Sequence, residues 1–261
     1  MDMQNIISSL EQESGGQISF TFLAADRVLS HRGDELVATA STYKLPLLIH
    51  LALEVQEGTL SWDLPLRLTD ALKSRGTGVL RSLTSGLELT LRDVCYLMVV
   101  LSDNTATDML VDRFGLEAVN DRLRSFGLEH TRLLRQDSGS DGSSRAPFAT
   151  GITTPNEMAQ LLKQLASGSF GPGVTRDVLE MLGAQNDQSM IPRYLPPGWS
   201  YAGKTGCNGD LRADVGLARD PQGRGYVLAL FCKFPASKDW SLDNPGTLAL
   251  ARLARALLLD S

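Results

Sequence analysis

The chain has 261 residues, a formal net charge of −5, 43% hydrophobic and 21% charged residues, the balance of a globular protein long enough to bury a large core. That acidic balance offers no basic field to nucleic acid, so no nucleic-acid partner is expected. No run of 18 uninterrupted apolar residues is present to cross a membrane, which leaves a small-molecule enzyme or a binding domain, expected as a monomer.

The start, MDMQNIISSLEQESGGQ, has neither the basic opening nor the apolar run of a secretory leader. The chain is expected in the cytoplasm, or outside it if a leader has been removed. A first helix is predicted over Asn5–Glu13, closed by Gly15-Gly16. Strand-like runs follow at 17–25 and 35–40, separated by the turn-rich RVLSHRGD. The pattern from Tyr43 to Glu57 predicts a largely buried helix, with Pro46 tolerable in or near its first turn and Gly58 ending it.

The middle reads as helical. Thr90 with Asp93 predicts a cap for DVCYLMVVL, and NTATDMLVDRFG and LEAVNDRLRSFG each end on glycine. Thr154, Pro155 and Glu157 carry the pattern of a capping box for the helix MAQLLKQLAS. Between these helices lies RQDSGSDGSSRAPFATG (135–151), too long and polar to be an ordinary connection. Strand character returns in YAGKTGC, ADVGLA and YVLALFCKF, with a hairpin candidate at Asp220–Gly223, and TLALARLARALLL closes the chain as a helix.

Strands at both ends around a helical middle predict an α/β fold in one domain. One antiparallel sheet is built from both termini with flanking helices, forming an α/β lobe of about 1–45 and 198–261, and an all-helical lobe of about 46–197 is inserted. Cys95, Cys207 and Cys232 form no Cys-x-x-Cys pair and are expected as buried thiols, although one disulfide is arithmetically possible.

Three short motifs stand in order: Ser41-Thr42-Tyr43-Lys44, Ser102-Asp103-Asn104 and Lys204-Thr205-Gly206. Each alone is common by chance; the three together, each in its predicted structural context, are specific. Ser41 and Lys44 lie three residues apart at the start of an apolar helix and project from one face. A serine hydroxyl needs a base before it can attack, and Lys44 can serve once burial and a nearby cation favour its neutral amine. The N–H groups of Ser41 and Cys207 are candidates for an oxyanion hole, with Gly206 admitting substrate backbone. Lys204 and Thr205 suit a substrate carboxylate, Ser102 a proton relay to a departing nitrogen, and Asn104 the orientation of Lys44 and of an acyl chain.

With Gly76-Thr77-Gly78-Val79-Leu80, LTLRDVCYLMVVLSDNTATDML and TTPNEMAQLL, the trio resembles the class A β-lactamase family of penicillin-recognising serine hydrolases over nearly the whole chain. The resemblance implies a β-lactamase/transpeptidase-like fold with the active site between an α/β lobe and a helical lobe. It also implies an acyl-enzyme hydrolysed with the help of a glutamate in the sequence Glu-x-x-Leu-Asn on an omega loop. Here Asp137 stands where that glutamate is expected, Asp141 where the asparagine is, and Gly151 near the place of an aspartate that locks the loop's far end. A base one methylene short implies impaired deacylation, since a misplacement of about 1 Å can cost on the order of 100-fold.

The substrate expected is a β-lactam or a related acyl compound. The same trio also fits a peptidase, amidase or esterase on this scaffold, or a penicillin-binding trap or sensor that stays acylated. His31, His50 and His130 have no metal-ligand spacing, Gly76-x-Gly78 lacks the third glycine of a nucleotide fingerprint, and no Gly-x-Ser-x-Gly is present. Neither a metal nor an organic cofactor is expected.

Overall fold

The computed structural model describes residues 2–134 and 150–259. The expected first helix is α1 (Met3–Ser14), ended by Gly15 in the left-handed region at φ 64°. A five-stranded sheet in the order β2-β1-β10-β9-β8 joins the two chain ends: β1 (Gln17–Leu23), β2 (Val28–His31), β8 (Ser200–Asn208), β9 (Leu211–Arg219) and β10 (Gly225–Lys233). Every neighbouring pair runs antiparallel. The segment 27–34 is thus more than a turn, because it holds β2 and forms a hairpin with β1. Conversely, the run 35–40 yields only β3 (Val37–Ala38), which leaves the main sheet and pairs with β7 (Gly151–Thr153), itself paired with β6 (Arg132–Leu133).

The sheet is apolar on both faces, so β10 alternates without any polar side. Val227, Ala229 and Phe231 join the core under the helices, while Leu228, Leu230 and Cys232 join that of α1 and α8 (Pro245–Leu258). Complete burial of Leu228, Leu230 or Phe231 is worth about 1.5–3 kcal/mol each. The first core runs without a break into α2 (Lys44–Gln56), α3 (Leu91–Val100), α4 (Asn104–Phe114), α5 (Glu117–Ser125), α6 (Pro155–Ala166) and α7 (Pro172–Gly183).

On the α8 face, Tyr201 lies across two glycines. A Cβ on Gly203 would come within 2.1 Å of the Tyr201 hydroxyl, and one on Gly216 within 2.6 Å. The hydroxyl donates to Asp214 Oδ1 at 2.5 Å, while Ile191 N donates to Asp214 Oδ2 at 2.9 Å. Burial raises the Asp214 carboxyl to about 7 despite these bonds, and raises the Tyr201 phenol as well.

Helix starts follow the sequence closely. Thr90 and Asp93 form the complete capping box of α3. At α6 the box is only half made: Thr154 Oγ1 accepts from Glu157 N at 3.1 Å, but the buried Glu157 carboxylate turns away from the helix start. It accepts instead from Thr131 N and Thr131 Oγ1, both at 2.6 Å, and from His130 N at 2.9 Å. A charged acceptor that gathers donors from a distant segment stabilises more than the local reciprocal bond.

Glu157→Gln should therefore destabilise the fold by about 2–3 kcal/mol, because the amide turns an N–H toward groups that themselves donate. A lower urea midpoint at unchanged slope near neutral pH is the check. Burial pushes the Glu157 carboxyl upward, but the Thr131 and His130 bonds outweigh it and hold it below its ordinary 4.5. Its contribution is therefore full above 4.5 and is lost as pH falls through the lowered value, so the difference between wild type and variant should shrink in acid. A pH-independent difference sinks this account.

Candidate active site

Ser41 stands in a 3₁₀ turn, Ala40–Tyr43, that runs directly into α2. The turn is entered through Ala40 at φ 42°, a left-handed conformation rare for a residue with a Cβ. Two bonds hold its backbone: Thr39 N donates to Gly151 O at 3.1 Å, and the Thr150 hydroxyl Oγ1 donates to Ala40 O at 3.2 Å. Lys44, one turn on, is 0% exposed. Its Nζ donates to Ser102 O at 2.8 Å, Asn104 Oδ1 at 2.8 Å and Ser102 Oγ at 3.2 Å. Burial first, then the charge of Lys204, drives the Lys44 amine well below the ordinary lysine value.

Ser102 also sits in the left-handed region, at φ 53°. Such strain costs on the order of 1–3 kcal/mol and survives only where neighbours over-determine it. They do so here: the Ser102 carbonyl accepts from both Lys44 Nζ and Thr77 Oγ1, the latter at 2.7 Å. Asp103 is the cap of α4 and more. Its Oδ1 accepts from Ala106 N, and its Oδ2 accepts from Val79 N at 2.6 Å and Leu80 N at 2.9 Å. The Gly76-Thr77-Gly78 segment thereby docks onto the serine motif. A Cβ on Gly78 would stand 2.2 Å from the Asp103 carboxyl carbon, and one on Gly76 2.4 Å from Asn104 Nδ2.

The third motif lies on β8. Lys204 is 0% exposed, with Nζ donating to Thr205 O at 2.9 Å. Burial brings its amine down to about 8, so it still carries a proton at neutral pH. Gly206 serves the protein's own backbone: a Cβ there would meet Thr39 O at 2.8 Å and Ser41 N at 3.1 Å. The sequence reading reserved that space for substrate backbone, whereas the Ser41 turn fills it.

Ser41, Ser102, Asn104, Thr205 and Cys207 line one cavity of about 670 Å³, and Lys44 and Lys204 lie buried behind its wall. The sequence reading missed Asp187, Arg212 and Trp240, which line it too. The run Gln185-Asn186-Asp187 just before the strands was a usable polar signal; a single arginine and a single tryptophan carry none. Cys95, Cys207 and Cys232 are all free thiols.

Asp137 and Asp141 lie outside the described residues. The flanks of that segment are described. Leu134 N donates to Thr150 O at 3.1 Å, Asn120 exchanges two hydrogen bonds with Leu133, and Glu157 holds Thr131. A Cβ on Gly151 would lie 2.8 Å from both Arg132 O and Thr39 Oγ1, so the aspartate absent here has no room.

This architecture and motif set agree with comparison to known proteins, in which the profile of the Beta-lactamase enzyme family matches residues 2–259. The chain belongs to the β-lactamase enzyme family. Within it the chain is a class A β-lactamase-like hydrolase. A β-lactamase of known structure from Sphaerobacter thermophilus is 32% identical, with a TM-score of 0.89 and coverage of 100% of this chain and 98% of the other. β-Lactamase L2 of Stenotrophomonas maltophilia is 30% identical over 219 residues, 80% of this chain and 71% of the relative. A mutant of PBP-A, solved as an acyl-enzyme complex with penicillin G, is 26% identical with a TM-score of 0.84, covering 97% of this chain and 93% of that one. In this β-lactamase-family chain the three motifs therefore converge on one cavity, while Asp137, the residue expected at the place of the deacylating glutamate, lies outside the described residues.

Proposed function

We propose that this protein hydrolyses β-lactams through an acyl-enzyme on Ser41, with acylation faster than deacylation. The observation that carries the reading is the buried Lys44 amine, bonded to Ser102 and Asn104 one helical turn from Ser41 at the cavity wall. Lys44, neutral for part of the time, takes the Ser41 proton as Oγ bonds to the lactam carbonyl carbon. The N–H groups of Ser41 and Cys207 receive the developing oxyanion. As the carbon–nitrogen bond breaks, Ser102 Oγ, 3.2 Å from Lys44 Nζ, gives its proton to the departing nitrogen and receives in return the proton that Lys44 took from Ser41. Thr205 receives the substrate carboxylate with the buried charge of Lys204 behind it, and Asn104 steers both Lys44 and the acyl chain.

Hydrolysis of the ester then needs a base that positions water, and Asp137 is the carboxylate whose place in the sequence fits that task. Being one methylene shorter than glutamate, it makes the second step slow, so a burst precedes a slow steady rate. Asp137→Glu should raise the steady rate on the order of 10- to 100-fold at unchanged burst amplitude, and Asp137→Asn should slow it further. Unchanged turnover in Asp137→Asn reduces Asp137 to a loop residue.

Intact mass followed over time with a penicillin, alongside a chromogenic turnover assay, tests the whole reading. A transient adduct with turnover supports hydrolysis. A lasting adduct points to a trap or sensor, and no adduct points to another acyl substrate such as a peptide or ester.

A further inference from the structure

Trp240 and Leu242 border the cavity, yet 67% and 66% of their surfaces remain exposed. Burial in the fold therefore does not account for them, and their backbone is nevertheless firmly held. Arg193 donates to Leu242 O at 2.6 Å and to Asp243 Oδ1 at 2.8 Å. Asn244 Nδ2 donates to Ser237 O at 2.9 Å and to Asp239 O at 3.2 Å, while Asp239 Oδ1 accepts from Ser241 N at 3.0 Å. Arg212, buried on β9, binds Asn208 O, Leu211 O and Asp239 O, and its guanidinium lies over the Trp240 ring at 5.7 Å. Arg212 thus fastens the tryptophan segment to the sheet beside Cys207, its register partner on β8.

An indole fixed in place with most of its surface in water is preorganised for contact, because its ordering cost is met before any ligand arrives. Its position selects the part of the ligand. Thr205, proposed above for the carboxylate, precedes Cys207 by two residues on the same face of β8, and Arg212 then leads across to Trp240. In a bicyclic β-lactam the carboxylate lies on the ring fused at the lactam nitrogen, so a neighbouring substituent belongs to that second ring.

We propose that Trp240 and Leu242 form an apolar shelf selecting β-lactams with an aromatic or large apolar substituent beside the carboxylate. This rests on the acyl-enzyme reading above. The test uses two cephalosporin series: one keeps the acyl side chain and changes the second-ring substituent from methyl to an arylthiomethyl group, and the other keeps the ring and varies the acyl side chain. Stacking on an indole should give the aryl compound an advantage in acylation kcat/KM on the order of 10-fold, carried by KM. Trp240→Ala should collapse that ratio toward one, and Trp240→Phe should retain most of it. Quenching of tryptophan fluorescence in Ser41→Ala should show the same preference in binding alone, and Trp240→Ala in that background should abolish it. A ratio unaltered by Trp240→Ala overturns the shelf, as does a Trp240 effect confined to the acyl series. If the wild type is acylated by neither series, the functional reading itself falls and this proposal with it.

Discussion

Ser41→Ala should fold as the wild type does and take up no mass from a penicillin, with turnover falling on the order of 10⁴- to 10⁶-fold. The fold should survive because the Ser41 hydroxyl forms no hydrogen bond to another described residue, and alanine suits a short turn entering a helix. What disappears is the atom proposed to bond to the substrate carbon. Because the groups proposed to receive the carboxylate and the carbonyl remain, noncovalent binding should persist. Circular dichroism, intact mass and a fluorescence titration separate the three claims. An adduct on another residue of this variant removes Ser41 from its assigned role.

Lys44→Arg should slow acylation on the order of 10²- to 10⁴-fold, the usual worth of a positioned general base. Arginine retains the charge and can still donate to Ser102 and Asn104, so partners are preserved while the capacity to accept a proton is lost. The pH dependence carries the sharper signature. Burial and the charge of Lys204 lower the Lys44 pKa, so in the wild type acylation should rise as pH climbs through that lowered value. In the variant that limb should flatten. Acylation within about threefold of wild type, or an unchanged limb, assigns the base to a different group.

Much of this was readable in the chain because it is local. A serine and a lysine three residues apart, a threonine and an aspartate three residues apart, and glycines after helices encode contacts between near neighbours. The order of the three motifs then carried the family resemblance. Where sequence reading failed, the partner lay far along the chain. Glu157 has the right spacing for a reciprocal cap, yet its bonds go to residues 26 and 27 positions earlier. β2 reads as turn because this four-residue edge strand, VLSH, has an exposed Val28 and two polar residues after Leu29, and so no apolar–polar alternation in its sequence. Gly76 and Gly78 could be excluded as a nucleotide loop from spacing alone. Their close fit against Asn104 and Asp103 had to be seen in three dimensions.

β8 has almost no thickness where it matters. In front, hydrogen at position 206 lets the strand press against the Ser41 turn; behind, hydrogens at 203 and on β9 at 216 make a slot filled by the Tyr201 ring. The approach of β8 to the Ser41 turn, and with it the spacing of the amides proposed for the oxyanion, is therefore set by three missing side chains and one inserted phenol. A methyl group at 206 would wedge the two amides apart, and one at 203 would expel the ring and free Asp214 from its hydroxyl. Both changes would detune the oxyanion hole proposed for those two amides, while every side-chain functional group of the three motifs stays chemically intact.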